Sequence, residues 1–195
     1  MNWYNSAAVR NLLIVIGVAG LLVLSGTKYA GARSRLLAER TAVEAQWTEV
    51  ATAMQRRADT IFNLAYPMKG VSSDTGEVVS RIAEARATLS GSRTPQDTMA
   101  AYDRLNVAIA HLLVVVQNER RLKAGVQKSH LPDDVSNTEN EVNIARERYN
   151  EALQTYNAAL QLFPNNIVAA MSGFTRNDAY IQTEAGAGQG SKAQF

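Results

Sequence analysis

The chain has no cysteine, and this one absence removes disulfides, thiolate metal ligands and cysteine nucleophiles together. Its two histidines, His111 and His130, are too few for a histidine-built metal centre. Four prolines and an aromatic content of 7% go with abundant Ala, Leu, Val, Glu and Arg, a composition that favours helix over sheet. An excess of one charge is missing too. The 20 Lys and Arg residues face 18 carboxylates, so the net charge of +2 points to no nucleic-acid partner. No G-x-S-x-G, P-loop, G-x-G-x-x-G or H-E-x-x-H motif occurs. Asp133-Asp134 and Glu139 with Glu141 are the close carboxylate pairs, and each suits a helix N-terminus better than a calcium loop. These absences lead to a non-enzyme that carries no metal and no cofactor.

What the chain does have is a greasy start. Leu12–Leu24 contains no polar side chain, and Ser25–Ala32 adds one charge, Lys28. Thirteen apolar residues alone would suit a signal peptide, and Ala30-Gly31-Ala32 resembles a cleavage site. The wider frame favours an uncleaved anchor. Trp3 and Tyr4 precede the run and Tyr29 follows it, about 37 Å away at ~1.5 Å per residue, the spacing of the two interfacial aromatic belts. Lys28, Arg33, Arg35 and Arg40 lie on the far side against Arg10 on the near side, so the positive-inside rule places the large C-terminal part in the cytoplasm.

From Arg33 a helix continues without a break towards Pro67. Leu36, Val43, Trp47, Val50, Met54, Ile61 and Leu64 form one heptad seam. Arg40 and Arg57 interrupt it, and the simplest expectation is packed stems with solvated heads. Gly70–Gly76 reads as a turn before a second helix that buries Val78, Ile82, Ala85 and Leu89. Thr94-Pro95-Gln96-Asp97 reads as the capped start of a third helix carrying Met99, Tyr102, Leu105, Ile109, Leu112, Leu113 and Val116. Its middle, VAIAHLLVVV, is expected to be the most buried part of the bundle, with His111 as a core histidine and His130 on the surface. Gly125–Pro132 reads as a loop.

The fourth helix is expected to open on a capping box at Ser136 or Thr138 and to reach Phe163. Val142, Ala145, Tyr149, Ala152, Tyr156, Ala159 and Phe163 follow steps of three and four along one seam. Glu139, Asn143, Arg146, Asn150 and Asn157 lie beside it. Tyr149-Asn150 and Tyr156-Asn157 recur seven residues apart, on one face. Two readings stand: a buried polar ladder fixing helix register, with Asn and Arg146 serving the tyrosine hydroxyls, or a partner-recognition surface. Ile167–Met171 suggests a last short helix closed by Gly173.

These residues also carry a likeness. Thr138-Glu139-Asn140, Ala145-Arg146, Tyr149-Asn150, Tyr156-Asn157 and Phe163-Pro164 resemble the signature of the LemA family of bacterial membrane proteins. A second block is similar at Trp47, Arg56, Arg57, Asp59, Ile61, Asn63, Leu64, Lys69 and Gly70. The chain departs from the family pattern at Phe62, where Pro is usual, and over the third helix. The resemblance implies one transmembrane helix followed by an antiparallel helical bundle, company with a membrane protease of the heat-shock type or with membrane-remodelling systems, and no catalytic residues.

The expected fold is therefore all-α: an N-terminal transmembrane helix, then an antiparallel up-and-down bundle of about four helices. Residues 1–10 form a short tail, 11–32 the anchor in the lipid bilayer, 33–183 the bundle and 184–195 a disordered tail. The expected function is a scaffold or adaptor at the bacterial cytoplasmic membrane, with protein partners or as a homo-oligomer. Its candidate structural or partner-contact residues are Trp47, Arg57, Asp59, Asn63, Glu139, Asn140, Arg146, Tyr149, Asn150, Tyr156 and Asn157. The alternatives are a small-ligand sensor built on Glu139, Arg146 and the Tyr-Asn pairs, or a signal-cleaved secreted bundle.

Overall fold

A computed structural model describes residues 7–118 and 131–181, so the expectations for Trp3, Tyr4, His130 and the tail 184–195 lie outside the described residues. The fold is all-α, with no strand among the described residues. Helix α1 spans Ala7–Ala65, and a 3-10 turn, Tyr66–Met68, follows. Helix α2 spans Ser73–Gly91, α3 Pro95–Asn118, α4 Leu131–Gln161 and α5 Asn165–Ser172.

Helix α1 stays continuous because no Pro enters before Pro67. Thr27, Thr41 and Thr52 donate to the carbonyls of Leu24, Leu37 and Thr48 at 2.8–2.9 Å. Pro67 ends it as expected. The segment Gly70–Gly76 is not one turn. Ser72 Oγ accepts from the Thr75 backbone N–H at 3.3 Å while Thr75 Oγ1 accepts from the Ser72 N–H at 3.0 Å, a capping box that starts α2 at Ser73. Thr94 caps α3 as expected: its hydroxyl accepts from the Asp97 N–H at 3.1 Å and donates to the Asp97 carboxylate at 2.7 Å.

The start of α4 differs from expectation. The helix is already formed at Leu131, and neither Ser136 nor Thr138 caps it. Thr138 instead donates to the Asp134 carbonyl at 2.8 Å, in mid-helix. Pro132 lacks only an N–H that the first turn leaves unused, and Asp133 and Asp134 meet the positive end of the helix dipole. The other end stops at Gln161, two residues short of Phe163. Asn165 Nδ2 donates to the freed Ala159 carbonyl at 3.1 Å, and Gly173, at φ 74°, closes α5 in the left-handed region that glycine enters without a Cβ clash.

The chain divides into two compact units. Unit 1 holds residues 1–44 and 151–180, and unit 2 holds 45–150 and 181–195. In unit 1 Ala32 and Leu36 of α1 pack with Ala159, Val168 and Ala169, flanked by Leu160 and Phe174. In unit 2 four helical segments share a core of Val50, Met54, Ile61, Val78, Ile82, Tyr102, Leu105, Leu112 and Val142, all fully buried. The contacts Asp59–Arg86 and Gln55–Ser90 run α2 antiparallel to α1 there, and Arg57–Glu139 and Trp47–Tyr149 do the same for α4.

The heptad seam of α1 is therefore the buried face, with Trp47 and Leu64 only half covered. Three burial expectations are corrected. VAIAHLLVVV is not the deepest segment: α3 buries Ala108, Ile109, Leu112 and Val116, while Val107 is 71% exposed. His111 lies on that open face and is not a core residue. Phe163 is 80% exposed, because the seam loses its direction once α4 has ended.

Candidate functional site

The polar groups of unit 2 converge on Tyr102, which α3 presents on its buried face. Arg57 of α1 forms an ion pair with Glu139 of α4 and donates through Nη1 to the Tyr102 hydroxyl at 2.9 Å. That hydroxyl donates on to Glu139 Oε2 at 3.3 Å. The Arg57 and Arg146 guanidinium carbons stand 5.6 and 5.1 Å from the Tyr102 ring centre, each within range of its negative face. Arg146 also reaches Asn143 Oδ1 at 3.5 Å. Arg57 is thus buried with a carboxylate partner, which corrects the expectation of a solvated head. Arg40 does bend outward, into an exposed pair with Glu44. Taking the Arg57 head out of water costs several kcal/mol, which only a close carboxylate with further hydrogen bonds offsets, and the seam alone could not name that carboxylate.

A cavity of about 440 Å³ opens beside this cluster, lined by Arg57, Asn106, Ser136, Glu139, Asn140 and Asn143 among others. Asn106 Oδ1 and Glu139 Oε1 are buried acceptors with no hydrogen-bond partner among the described residues. Such a site suits a ligand that brings N–H or O–H donors. No three His, Asp or Glu side chains gather to hold a metal ion among the described residues.

Elsewhere in unit 2, Asp59 pairs with Arg86 of α2, whose guanidinium lies 4.9 Å from the Phe62 ring centre. Trp47 meets Tyr149 edge-on at 5.7 Å, and burial raises the Tyr149 hydroxyl above its usual pKa. Asn63 is exposed and joins none of these groups.

Asn150 and Asn157 of α4 bond main-chain groups after α5 rather than the hydroxyls of Tyr149 and Tyr156, and Asn157 Nδ2 also donates to the Tyr180 hydroxyl at 3.1 Å. In unit 1, Asn157 Nδ2 donates to the Asn177 carbonyl at 2.6 Å and its Oδ1 accepts from the Asn177 N–H at 3.0 Å. In unit 2, Asn150 treats Ile181 the same way, at 2.6 and 3.0 Å. Each amide thus satisfies both main-chain groups of one residue in the extended chain after α5. Tyr156 donates its hydroxyl to the Thr175 carbonyl at 3.0 Å, and its pKa is raised by burial against a smaller opposing pull from Arg40. The Asp178 carboxylate, hydrogen-bonded to Arg176, holds that guanidinium above its usual value.

The expected residues thus separate into groups. Arg57, Glu139, Asn140 and Arg146 meet at the cavity and Tyr102; Trp47 pairs with Tyr149; Asn150, Tyr156 and Asn157 hold extended chain. Tyr102 and Asn106 were not among the candidate site residues. A Tyr on the buried face of an otherwise aliphatic helix was the available signal for the first, since its hydroxyl needs a partner. Asn106 gave none.

This geometry defines a class: a helical bundle with an N-terminal apolar helix and a buried Arg-Tyr-Glu cluster between its helices. A family model places the chain more closely: it matches the LemA family over residues 46–195, and the chain belongs to that family. A search of the curated proteins finds no match.

Proposed function

We propose that the protein is a membrane-anchored helical-bundle scaffold or adaptor, acting through protein partners or self-association at the bacterial cytoplasmic membrane. One observation carries this reading. Every large side chain from Leu12 to Leu24 is more than half exposed along α1, with nothing among the described residues to cover it. At about 1.5–3 kcal/mol for each Val, Leu or Ile taken out of water, these ten residues favour a lipid environment by on the order of 15–30 kcal/mol. Residues 11–32 at ~1.5 Å per residue reach about 33 Å, enough for the ~30 Å hydrocarbon core. Residues 1–45 lie outside the family match, so the anchor stands on this physical argument.

The cluster at Lys28, Arg33, Arg35 and Arg40 favours a cytoplasmic bundle. A membrane protease is the partner class that the family resemblance suggests. Carbonate washing of membranes tests the anchor, and recovery of the intact chain in the soluble fraction defeats it. N-terminal sequencing of the mature protein decides against the signal-cleaved alternative when it starts at or near Met1. Crosslinking in native membranes should trap a heteromeric or homomeric band; monomer alone would remove the adaptor reading.

A second reading, a small-ligand sensor, is favoured by the cavity beside Glu139 and Asn106 with its two open acceptors. Native mass spectrometry of gently released protein should then show a bound mass that Asn106→Leu abolishes. Detection of the bare polypeptide mass alone counts against a ligand.

A further inference from the structure

We propose that the α4–α5 corner of unit 1 is a second membrane contact, in which Leu162, Phe163, Ile167 and Met171 seat in the interfacial layer of the bilayer that holds α1. The inference rests on the anchored reading above. These four side chains are 54%, 80%, 52% and 71% exposed and fall within ten consecutive residues. Soluble surfaces seldom gather large apolar side chains so closely without a purpose.

Their surroundings select lipid as the occupant. No charged residue occurs between Glu151 and Arg176, so the whole corner is uncharged. Helix α5 is apolar on two faces. Val168 and Ala169 are buried inward, while Ile167, Ala170 and Met171 lie on the opposite, open side. A helix that needed water outside would carry charge there.

Placement supplies the second argument. The Tyr29 hydroxyl and Ser172 Oγ lie 2.9 Å apart, and Ala32 and Leu36 pack with Val168, Ala169 and Ala159. The corner is thereby fixed beside the turn of α1 where the apolar run gives out. Tyr29 stands five residues past Leu24, about 7.5 Å along the axis, in the headgroup zone where interfacial tyrosines lie. Within unit 1, Tyr156 lines a groove with Arg40 while Ala159 meets Ala32 and Leu36, so α4 runs antiparallel to α1 and its end heads for the apolar run. The exposed cations Arg33 and Arg35 stand next along α1, where anionic headgroups would meet them.

The chain has no cysteine, so single-site spin labels report without background. Full-length protein is reconstituted into phosphatidylethanolamine–phosphatidylglycerol vesicles with a label at Leu21→Cys, Phe163→Cys, Met171→Cys or, as an exposed site further back on α4, Thr155→Cys. Collisions with oxygen report lipid, and collisions with a water-soluble nickel chelate report solvent. The expected result is loss of nickel collisions with high oxygen access at 163 and 171, as at 21, and the reverse at 155. Nickel access at 163 and 171 with Leu21 in lipid overturns this contact and leaves the anchor standing. Loss of both kinds of collision at 163 and 171 overturns it in favour of a second copy of the chain. Nickel access at Leu21 overturns the contact together with the anchored reading.

Discussion

Asn157 and Asn177 form a closed pair: the side-chain amide of the first donates to the main-chain carbonyl of the second at 2.6 Å and accepts from its N–H at 3.0 Å. Buried main-chain groups outside helices must find partners or lose the free energy of a hydrogen bond, and an Asn amide fits the spacing of one residue's two groups. Asn157→Ala should cost about 1–3 kcal/mol. Asn157→Asp sets a carboxylate oxygen against the Asn177 carbonyl and should cost at least as much. Thermal melts measure the loss, and amide exchange at Asn177 should accelerate; unchanged exchange would show that the pair holds nothing in place.

The Arg57–Glu139 pair should behave as a buried ion pair bound to a hydroxyl. Arg57→Ala or Glu139→Ala each leaves a charge without its partner and should cost about 3–5 kcal/mol. Replacing both by Met and Leu should cost less than the sum of the single changes. Tyr102→Phe should cost about 0.5–1.5 kcal/mol, since ring and volume remain. Urea unfolding of the set measures the coupling, and additive losses would refute it.

The raised pKa values of Tyr149 and Tyr156 make stability fall with alkali. Burial disfavours the phenolate, so the folded state holds these protons beyond the value of 10.0 that each hydroxyl has when unfolded. Their contribution is fully present below about pH 10 and is lost as pH rises through the higher folded values. Urea midpoints at about pH 9 and pH 11 should differ less in the Tyr149→Phe, Tyr156→Phe double variant than in the parent. An equal drop in both would assign the alkaline loss to other groups.

Gly173 holds φ at 74°, where a Cβ is strained even though nothing stands in its way. Gly173→Ala should destabilise by about 1–2 kcal/mol and Gly173→Asn by less, because Asn tolerates this region better. Circular dichroism melts compare the two. Equal stability of the Ala variant and the parent would mean that α5 can end in another way.

Much of the architecture was readable along the chain. Leu36, Val43, Val50, Met54 and Ile61 recur at helical spacing and are the buried seam of α1, and Thr94 caps α3 as its hydroxyl chemistry predicts. The site was only partly readable. Arg57 stood out as an interruption of the α1 seam, and Glu139 and Arg146 as a polar stripe beside the α4 seam, yet nothing local joined Arg57 to a carboxylate 82 residues away. The asparagines of α4 were visible as a repeat, but their partners are backbone groups of the extended chain after α5, which no side-chain pattern announces.

The amino-acid order by itself determined the all-α character, the breaks at Pro67 and Gly173, and the apolar run that asks for lipid. Each of these follows from backbone chemistry and hydrophobic period acting over a few residues. The tertiary structure alone decided that Arg57 is buried, that His111 and Val107 face outward, and that Phe163 stands free at a corner. Those outcomes depend on which surfaces other helices cover, and an apolar residue is buried only when a neighbour reaches it.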